Sequence, residues 1–347
     1  MDTSARLRVV VATPLFPADA AMIAEREPRI DLVHAPELLA EPSVDWMTWS
    51  KRTAEDQARF EQLVDSADAL YGVPDHSGKA LARTVAANPK LRWVHTIPAG
   101  GGQQVKAANL SEEALERIAF STSAGVHAAP LAEFAIFGVL AGAKQLPWLQ
   151  ATQRRREWAP RRALGRAADS TVAVVGLGSI GRHTAEKLAQ LGFRVVGVHR
   201  RPVEAPGVSE IFPVEELARV ASEVDAIVLA LPGTAETEKM LSREVLAAAK
   251  PGITIVNVGR GTTVDEPALV EALTDGRVGL AVLDVTYVEP LPADSPLWEL
   301  PNAIIAPHTA AISTDEPRLI AELFVENARR FLDGEPLINR VNTREFY

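Results

Sequence analysis

The sequence of 347 residues contains no cysteine, and this absence excludes disulfides, thiolate nucleophiles and cysteine-ligated metals. Redox chemistry in this chain would therefore need a diffusible cofactor. An excess of positive charge is also missing, because 36 Lys and Arg residues stand against 45 Asp and Glu residues and give a formal net charge of −9. An acidic balance disfavours general attraction to nucleic acid or anionic membranes. We therefore expect neither as a partner, and we expect a small-molecule ligand.

Long hydrophobic runs are absent as well. The most apolar segment, 131–143, is interrupted by Glu133 and is shorter than the roughly 20 residues that a bilayer crossing needs. Residues 1–14 lack the apolar core and the small-residue cleavage site of a secretory signal. The sequence therefore predicts a cytoplasmic protein without a membrane span.

Short runs rich in Val, Ile and Leu alternate with longer helical patterns along the chain. The predicted strands are 7–12, 69–73, 92–96, 172–175, 194–198, 226–231, 253–258, 280–285 and 303–306, and two further helical patterns cover 127–144 and 316–332. Apolar strands of this kind are buried on both faces, which is typical of parallel sheets covered by helices. An arginine-rich break at 150–170 separates two such units. The sequence therefore predicts an α/β protein of two doubly wound domains.

The strongest motif is a glycine turn, residues 176–181, which follows a predicted strand and opens a predicted helix. Gly176 permits the tight turn, Gly178 lets the backbone approach a pyrophosphate, and Gly181 allows close helix–strand packing. The helix start presents unpaired N–H groups to negative charge. We assign the whole turn to dinucleotide binding: Gly176, Leu177, Gly178, Ser179, Ile180 and Gly181.

The strand after the glycine turn ends in His199, Arg200 and Arg201. An NAD-specific site carries an Asp or Glu here for the ribose 2′-hydroxyl, and this chain has none. A guanidinium instead holds a 2′-phosphate through charge-assisted hydrogen bonds. The sequence therefore predicts NADP(H) as the preferred cofactor, with NAD(H) as the second candidate.

Three further motifs follow predicted strands: 256–261 with Arg260, 283–292 with Glu289, and 306–310 with His308. With the glycine turn, they make the chain resemble the D-isomer-specific 2-hydroxyacid dehydrogenase family, closest to its glyoxylate/hydroxypyruvate reductases. The resemblance covers nearly the whole chain and is strongest over 126–310.

The resemblance implies a Rossmann dinucleotide-binding domain of residues 126–309, inserted into a flavodoxin-like substrate domain. That substrate, or catalytic, domain would consist of 1–125 plus 310–347, and the cleft between the two would hold the chemistry. The family's usual assembly implies a homodimer. Trp158 would either lie on an arm that reaches the partner subunit, as an aromatic residue does in related reductases, or simply pack within its own chain.

The three motif residues also suit the reduction of a 2-keto acid on chemical grounds. The planar guanidinium of Arg260 can bind the substrate carboxylate and polarise the adjacent carbonyl. As hydride reaches the carbonyl carbon, the oxygen needs a proton, which the imidazole of His308 can supply. Glu289 would orient that imidazole through the other ring nitrogen and favour its charged form.

Further contacts follow from the resemblance alone. It implies that Asp284 contacts the nicotinamide carboxamide and that Pro232 walls the adenine pocket. The implied cofactor contacts beyond the glycine turn and residues 199–201 are Leu231, Pro232, Thr237, Val258 and Asp284. The implied substrate contacts are Val73, Ala99, Gly100 and Gly101, joined by Arg260 and His308. No metal ligand set is expected.

We therefore expect an oxidoreductase that uses NADPH to reduce a small 2-keto acid, such as glyoxylate or hydroxypyruvate, to the D-2-hydroxy acid. One alternative is an NAD-dependent dehydrogenase of the 3-phosphoglycerate type. The other is a dinucleotide-sensing, corepressor-like binding module. Turnover distinguishes this last alternative from the two dehydrogenases, because a corepressor would bind the cofactor and show negligible reductase activity.

Overall fold

The computed structural model describes residues 6–43 and 50–346, which form two compact units. Unit 1 comprises the described residues of Met1–His127 and Ile312–Tyr347, and unit 2 comprises Ala128–Ala311. Residues 1–5, 44–49 and 347 of the predicted substrate domain lie outside the described residues, and so does the start of the stretch tested for a secretory signal. In the described part of the chain, none of the helices combines the length and apolar character that crossing a membrane requires.

Unit 1 contains a five-stranded parallel sheet with helices. Its strands are β1 (Leu7–Val11), β2 (Ile30–Val33), β3 (Ala69–Tyr71), β4 (Trp93–Thr96) and β5 (Ala119–Thr122). Its helices are α1 (Pro17–Arg26), α2 (Ala54–Val64), α3 (Gly78–Ala87), α4 (Gly102–Ala107) and α5 (Glu112–Arg117), followed much later by a C-terminal helix. The strand order is β2-β1-β3-β4-β5, which is the flavodoxin-like order.

Unit 2 contains a seven-stranded parallel sheet. Its strands are β6 (Thr171–Val175), β7 (Arg194–Val198), β8 (Glu210–Phe212), β9 (Ala226–Leu229), β10 (Ile253–Asn257), β11 (Val278–Leu283) and β12 (Ala303–Ile305). Its helices are α6 (Ala128–Ala143), α7 (Leu146–Arg154), α8 (Ser179–Gln190), α9 (Leu217–Glu223), α10 (Arg243–Ala248) and α11 (Glu266–Thr274). The order β12-β11-β10-β9-β6-β7-β8 reverses direction at β6, as in the Rossmann fold. The predicted fold class is confirmed.

The last helix, α12 (Glu316–Asp333), returns to unit 1 and completes its core. Phe324 of α12 is fully buried and stacks on Trp93 of β4, with 4.8 Å between the ring centroids. His127 Nε2 lies 2.6 Å from Glu316 Oε1, and both side chains are buried. The residues on either side of unit 2 in the chain are thus joined inside unit 1.

Three strands, β2, β5 and β8, were not predicted from the sequence. Each of them lies at the edge of its sheet. An edge strand is covered by neighbours on fewer sides, so it does not need the continuous apolar run that identified the central strands. Asp31 in β2 and Glu210 in β8 interrupt the apolar pattern accordingly. Ser121 in β5 is fully buried, and its hydroxyl bonds to the side chains of Trp93 and His95 instead.

Candidate active site

Three neighbouring strands of unit 2 end beside the predicted catalytic residues. β10, β11 and β12 are adjacent and parallel, so their carboxyl ends lie along one edge of the sheet. Arg260 follows β10, Glu289 lies in the loop after β11, and His308 follows β12. Open parallel sheets bind their ligands at this edge.

The structure brings His308 and Glu289 into direct contact. His308 Nδ1 lies 2.7 Å from Glu289 Oε2, and the two side chains are 46% and 38% exposed. The second carboxylate oxygen of Glu289 accepts the backbone N–H of Thr286 at 3.1 Å, which fixes the carboxylate. His308 Nε2 has no hydrogen-bond partner among the described residues. The imidazole is therefore held through one nitrogen and keeps the other for a ligand.

Asp284 anchors the turn that carries His308. Its carboxyl group is buried, and Oδ1 accepts the backbone N–H groups of Thr309 and Ala310, both at 2.9 Å. The N–H of His308 donates to the Asp284 carbonyl, also at 2.9 Å. His308 itself has a positive φ of 53°, a left-handed conformation that is uncommon outside glycine. At least one oxygen of Asp284, predicted as a cofactor contact, thus stabilises the backbone beside His308.

The backbone of Arg260 is held by two residues that sequence reasoning missed. Its carbonyl accepts hydrogen bonds from Asn257 Nδ2 at 3.1 Å and from Thr263 Oγ1 at 2.7 Å. Asn257 is fully buried at the end of β10, and a polar residue closing an apolar strand was the available signal. The exposed guanidinium donates one hydrogen bond, from Nη1 to the Gly259 carbonyl at 2.7 Å.

The loop that carries Arg260 packs against the loop that carries Glu289. A Cβ atom added to Gly261 would lie 1.8 Å from the Thr286 carbonyl oxygen, so the two backbones touch and only glycine fits. Among the described hydrogen bonds, the Arg260 guanidinium reaches neither Glu289 nor His308. The structure therefore joins the histidine and the glutamate directly and places the arginine on an adjoining loop.

The glycine turn fits a pyrophosphate. Gly176 has a φ of +94°, and a Cβ on Gly181 would lie 1.8 Å from the Gly176 carbonyl oxygen, so both positions require glycine. A Cβ on Gly178, in contrast, would meet nothing within 4 Å. α8 begins at Ser179 with Gly178 as its N-cap and without a side-chain cap, which leaves the first N–H groups available. The residues present therefore fit a bound dinucleotide.

The end of β7 carries the predicted 2′-phosphate residues. His199 Nδ1 lies 2.8 Å from the Arg201 carbonyl oxygen. Arg200 Nη1 donates to Glu236 Oε2 at 2.8 Å, and both side chains are largely exposed. Glu236 follows β9 and was not singled out in the sequence, because its proximity to Arg200 arises only in the folded sheet.

The loop after β9 has a defined shape. The hydroxyl of Thr237 donates to the Pro232 carbonyl at 2.6 Å and accepts the N–H of Thr234 at 2.9 Å. Thr237 is 9% exposed, so the structure uses it to hold the loop together. Leu231 is partly buried, and Val258, also predicted as a cofactor contact, is 2% exposed.

The predicted substrate loops of unit 1 follow the adjacent strands β3 and β4. Gln104 Nε2 donates to the His76 carbonyl at 3.3 Å and so connects the two loops. The N–H of Gly101 donates to the Pro98 carbonyl at 3.0 Å. Ala99 and Gly100 are exposed, and their N–H groups have no partner among the described residues.

The side chain of Val73, the remaining predicted substrate contact, is 1% exposed.

Unit 2 also contains a cavity of about 450 Å³ near the amino ends of its strands, lined in part by Val172, Ala226 and Ile253. Arg162 lies over the Trp148 ring beside it, 3.8 Å from the centroid. None of the predicted site residues lines this cavity. Within the described residues, no cluster of three or more His, Asp or Glu side chains is arranged to hold a metal ion.

Comparisons with known proteins agree with this architecture. The sequence model of the D-isomer specific 2-hydroxyacid dehydrogenase NAD binding domain matches residues 136–310, which lie within unit 2. The chain is 32% identical over 271 residues to a glyoxylate reductase of Korarchaeum cryptofilum, covering 75% of this chain and 79% of that protein. It is 34% identical over 290 residues to a D-3-phosphoglycerate dehydrogenase of Mycobacterium bovis, covering 83% of this chain but only 53% of that relative.

A solved structure extends the likeness over nearly the entire chain. The D-isomer specific 2-hydroxyacid dehydrogenase of Xanthobacter autotrophicus Py2, solved with NADPH and MES, superposes with a TM-score of 0.77 at 30% identity. The match covers 99% of this chain and 100% of that one. The family resemblance inferred from the motifs is confirmed: this chain belongs to the D-isomer specific 2-hydroxyacid dehydrogenases, a family of NAD(P)-dependent oxidoreductases.

Proposed function

We propose that this protein reduces a small 2-keto acid of the glyoxylate or hydroxypyruvate type to the D-2-hydroxy acid, with NADPH as the preferred hydride donor. The observation that carries the proposal is the contact of 2.7 Å between His308 and Glu289 at the ligand-binding edge of unit 2. The same unit holds the glycine turn. Unit 2 is accordingly the proposed cofactor domain, and unit 1 is the proposed substrate domain.

Residues 176–181 would hold the pyrophosphate, and Arg200 and Arg201 would bind the 2′-phosphate through charge-assisted hydrogen bonds. Thr237 and Leu231 would shape the adenine side, and Val258 and Asp284 the nicotinamide side. When bound, the dihydronicotinamide supplies the hydride. Substrate binding and proton donation are assigned to side chains and N–H groups of this chain.

His308 Nε2 is the proposed proton donor to the keto oxygen. Among the described residues this ring nitrogen has no hydrogen-bond partner, and Glu289 holds the ring through the opposite nitrogen. In Arg260, the hydrogen bond to Gly259 occupies one donor of five, so the remaining fork is available for a carboxylate. Within unit 1, Ala99 and Gly100 are proposed as substrate contacts, because their exposed N–H groups can donate hydrogen bonds.

We also propose that the protein forms a homodimer. Four exposed apolar side chains fall in the segment 137–164: Phe137, Leu149, Trp158 and Leu164. Trp158 is completely exposed, and large exposed aromatic groups are typical of protein interfaces. Sedimentation velocity of the wild type and of Trp158→Ala tests this assembly. A monomeric wild type at micromolar concentration contradicts it.

The decisive experiment is a panel of 2-keto acids, namely glyoxylate, hydroxypyruvate, pyruvate, 3-phosphohydroxypyruvate and bulkier side chains, each assayed with NADPH and with NADH. We expect the highest kcat/KM for a small unphosphorylated acid with NADPH. Replacing Arg200 and Arg201 together by alanine should lower kcat/KM for NADPH by about 10- to 100-fold and leave the value for NADH nearly unchanged.

Two outcomes of the same panel contradict the proposal and identify its alternatives. Fastest turnover of the phosphorylated acid with NADH indicates a dehydrogenase of the 3-phosphoglycerate type. Tight dinucleotide binding without turnover of any acid indicates a sensing module that has kept the dinucleotide fold.

A further inference from the structure

We propose that Glu236 is a specificity-determining residue that opposes the binding of a 2′-phosphate at Arg200 and so limits the preference for NADPH over NADH. This inference rests on the proposed cofactor site and adds to it a residue that the family motifs do not include. The proposal follows from the position, the anchoring and the charge of Glu236.

Arg200 and Glu236 stand on either side of the glycine turn. Arg200 follows β7 and Glu236 follows β9, while β6, which leads into the turn, lies between these two strands in the sheet. The ion pair of 2.8 Å therefore joins two loops at the carboxyl edge, next to the helix start that fits a pyrophosphate. The ribose of a dinucleotide bound at that turn would meet both side chains.

Glu236 is kept near Arg200 by its own loop. The adjacent residue, Thr237, is buried and closes the loop through hydrogen bonds to Pro232 and Thr234. The Glu236 side chain is 74% exposed, so its carboxylate is accessible to a ligand. An exposed ion pair of this kind is weak, and a phosphate can displace it. The carboxylate nevertheless remains within reach of the displacing group.

The two cofactors differ in what they present to Glu236. A 2′-phosphate carries close to two negative charges at neutral pH, so it gains the Arg200 guanidinium but is repelled by the neighbouring carboxylate. A 2′-hydroxyl suffers no such repulsion and can donate a hydrogen bond to the carboxylate, as it does to the acidic residue of NAD-specific sites. Glu236 thus weakens NADPH binding and supports NADH binding.

The test compares Glu236→Gln with Glu238→Gln. Glu238 is an exposed carboxylate of the same loop, and its nearest described partner is the Tyr287 hydroxyl at 3.5 Å, so its replacement removes the same charge without touching Arg200. Dissociation constants for NADPH, NADH and the fragment 2′-AMP are measured by calorimetry at low and high salt. We expect Glu236→Gln to bind NADPH and 2′-AMP about three- to tenfold more tightly at low salt, with little gain at 0.5 M salt. NADH binding should not tighten, and Glu238→Gln should resemble the wild type.

The inference is overturned if the two variants behave alike, if neither changes NADPH affinity, or if Glu236→Gln tightens NADH as much as NADPH. Failure of the proposed cofactor site has a different signature, because the wild type would then bind neither dinucleotide. If the wild type binds both dinucleotides and Glu236→Gln does not change the affinity for NADPH, only the role of Glu236 is rejected.

Discussion

Asp284 holds His308 in place through the backbone. One carboxylate oxygen of Asp284 accepts two N–H groups directly after His308, and its carbonyl accepts the N–H of His308 itself. A left-handed conformation at a non-glycine residue costs about 1–3 kcal/mol and persists only where the surroundings impose it. The buried carboxylate supplies that constraint, and it does so one residue beyond β11, where the strand fixes its own position.

The first prediction concerns this anchor. Asp284→Ala should lower the free energy of unfolding by about 1–3 kcal/mol, because the N–H groups of Thr309 and Ala310 lose their buried acceptor. It should also lower kcat, since the His308 backbone is released. Asp284→Asn keeps an oxygen acceptor and should recover most of the stability. Urea denaturation and steady-state kinetics measure both effects. Equal destabilisation by alanine and asparagine would show that the acceptor is not what stabilises the turn.

The second prediction concerns the proton donor and its partner. His308→Gln should lower kcat by about 10²- to 10⁴-fold, the usual contribution of a general acid, while the Kd for NADPH changes less than twofold. Glu289→Gln should cause a smaller loss of kcat and retain NADPH binding, because the ring keeps a neutral partner. Glu299→Gln, an exposed carboxylate elsewhere in unit 2, serves as the control. If His308→Gln instead abolishes NADPH binding, the histidine has a structural role.

The third prediction separates the two kinds of glycine in the turn. Gly178→Ala places a methyl group in open space at an extended backbone position, so stability should remain within about 0.5 kcal/mol of the wild type. That methyl group would occupy the position proposed for the pyrophosphate, and dinucleotide affinity should fall at least tenfold. Gly181→Ala meets the Gly176 carbonyl and should unfold the protein or lower its melting temperature strongly. Thermal denaturation with and without NADPH distinguishes the two variants. Unchanged NADPH affinity in Gly178→Ala would contradict the proposed placement.

The fourth prediction concerns the dependence of stability on pH. His95 of β4 is fully buried between the hydroxyls of Ser121 and Ser123, at 2.9 and 3.1 Å, and burial lowers its pKa from 6.5 to about 3. Between these values the unfolded chain binds a proton that the folded chain does not. Stability should therefore decrease as the pH falls below 6.5, by at most about 1.4 kcal/mol per pH unit from this residue.

Urea denaturation between pH 5 and pH 7.5 measures this slope. His95→Gln should show a shallower dependence than the wild type, although its absolute stability is lower because the serine contacts change. His183→Gln, which replaces a histidine of α8 in unit 2, should retain the slope of the wild type. Identical slopes in all three proteins would show that His95 does not carry the dependence.

Sequence patterns were sufficient for features that depend on local order. The glycine turn could be identified because the strand, the turn and the helix are consecutive, and the Arg260, Glu289 and His308 motifs each follow an apolar strand. The contact between His308 and Glu289 was implied by the family resemblance, while the order of the elements indicated only that both residues lie at one edge of the sheet.

Features that depend on contacts distant in the chain could not be predicted in the same way. Glu236 meets Arg200 only because β6 lies between β7 and β9 in the sheet. The acceptor role of Asp284 depends on how β12 turns, and nothing in its own segment indicates it. The edge strands β2 and β8 lack an apolar run because solvent replaces a neighbour on one side. The edge strand β5 is buried, and its polar Ser121 bonds to Trp93 and His95, which are distant in the chain.

The place of α12 has a consequence for biosynthesis. Trp93 of the first sheet obtains its stacking partner, Phe324, only after every residue of unit 2 has left the ribosome. Unit 2 is contiguous in the chain and can fold as soon as it emerges from the ribosome. In unit 1, Trp93 remains uncovered until Phe324 has been synthesised. We therefore expect the amino-terminal part of unit 1 to complete its core after unit 2, even though it is synthesised first.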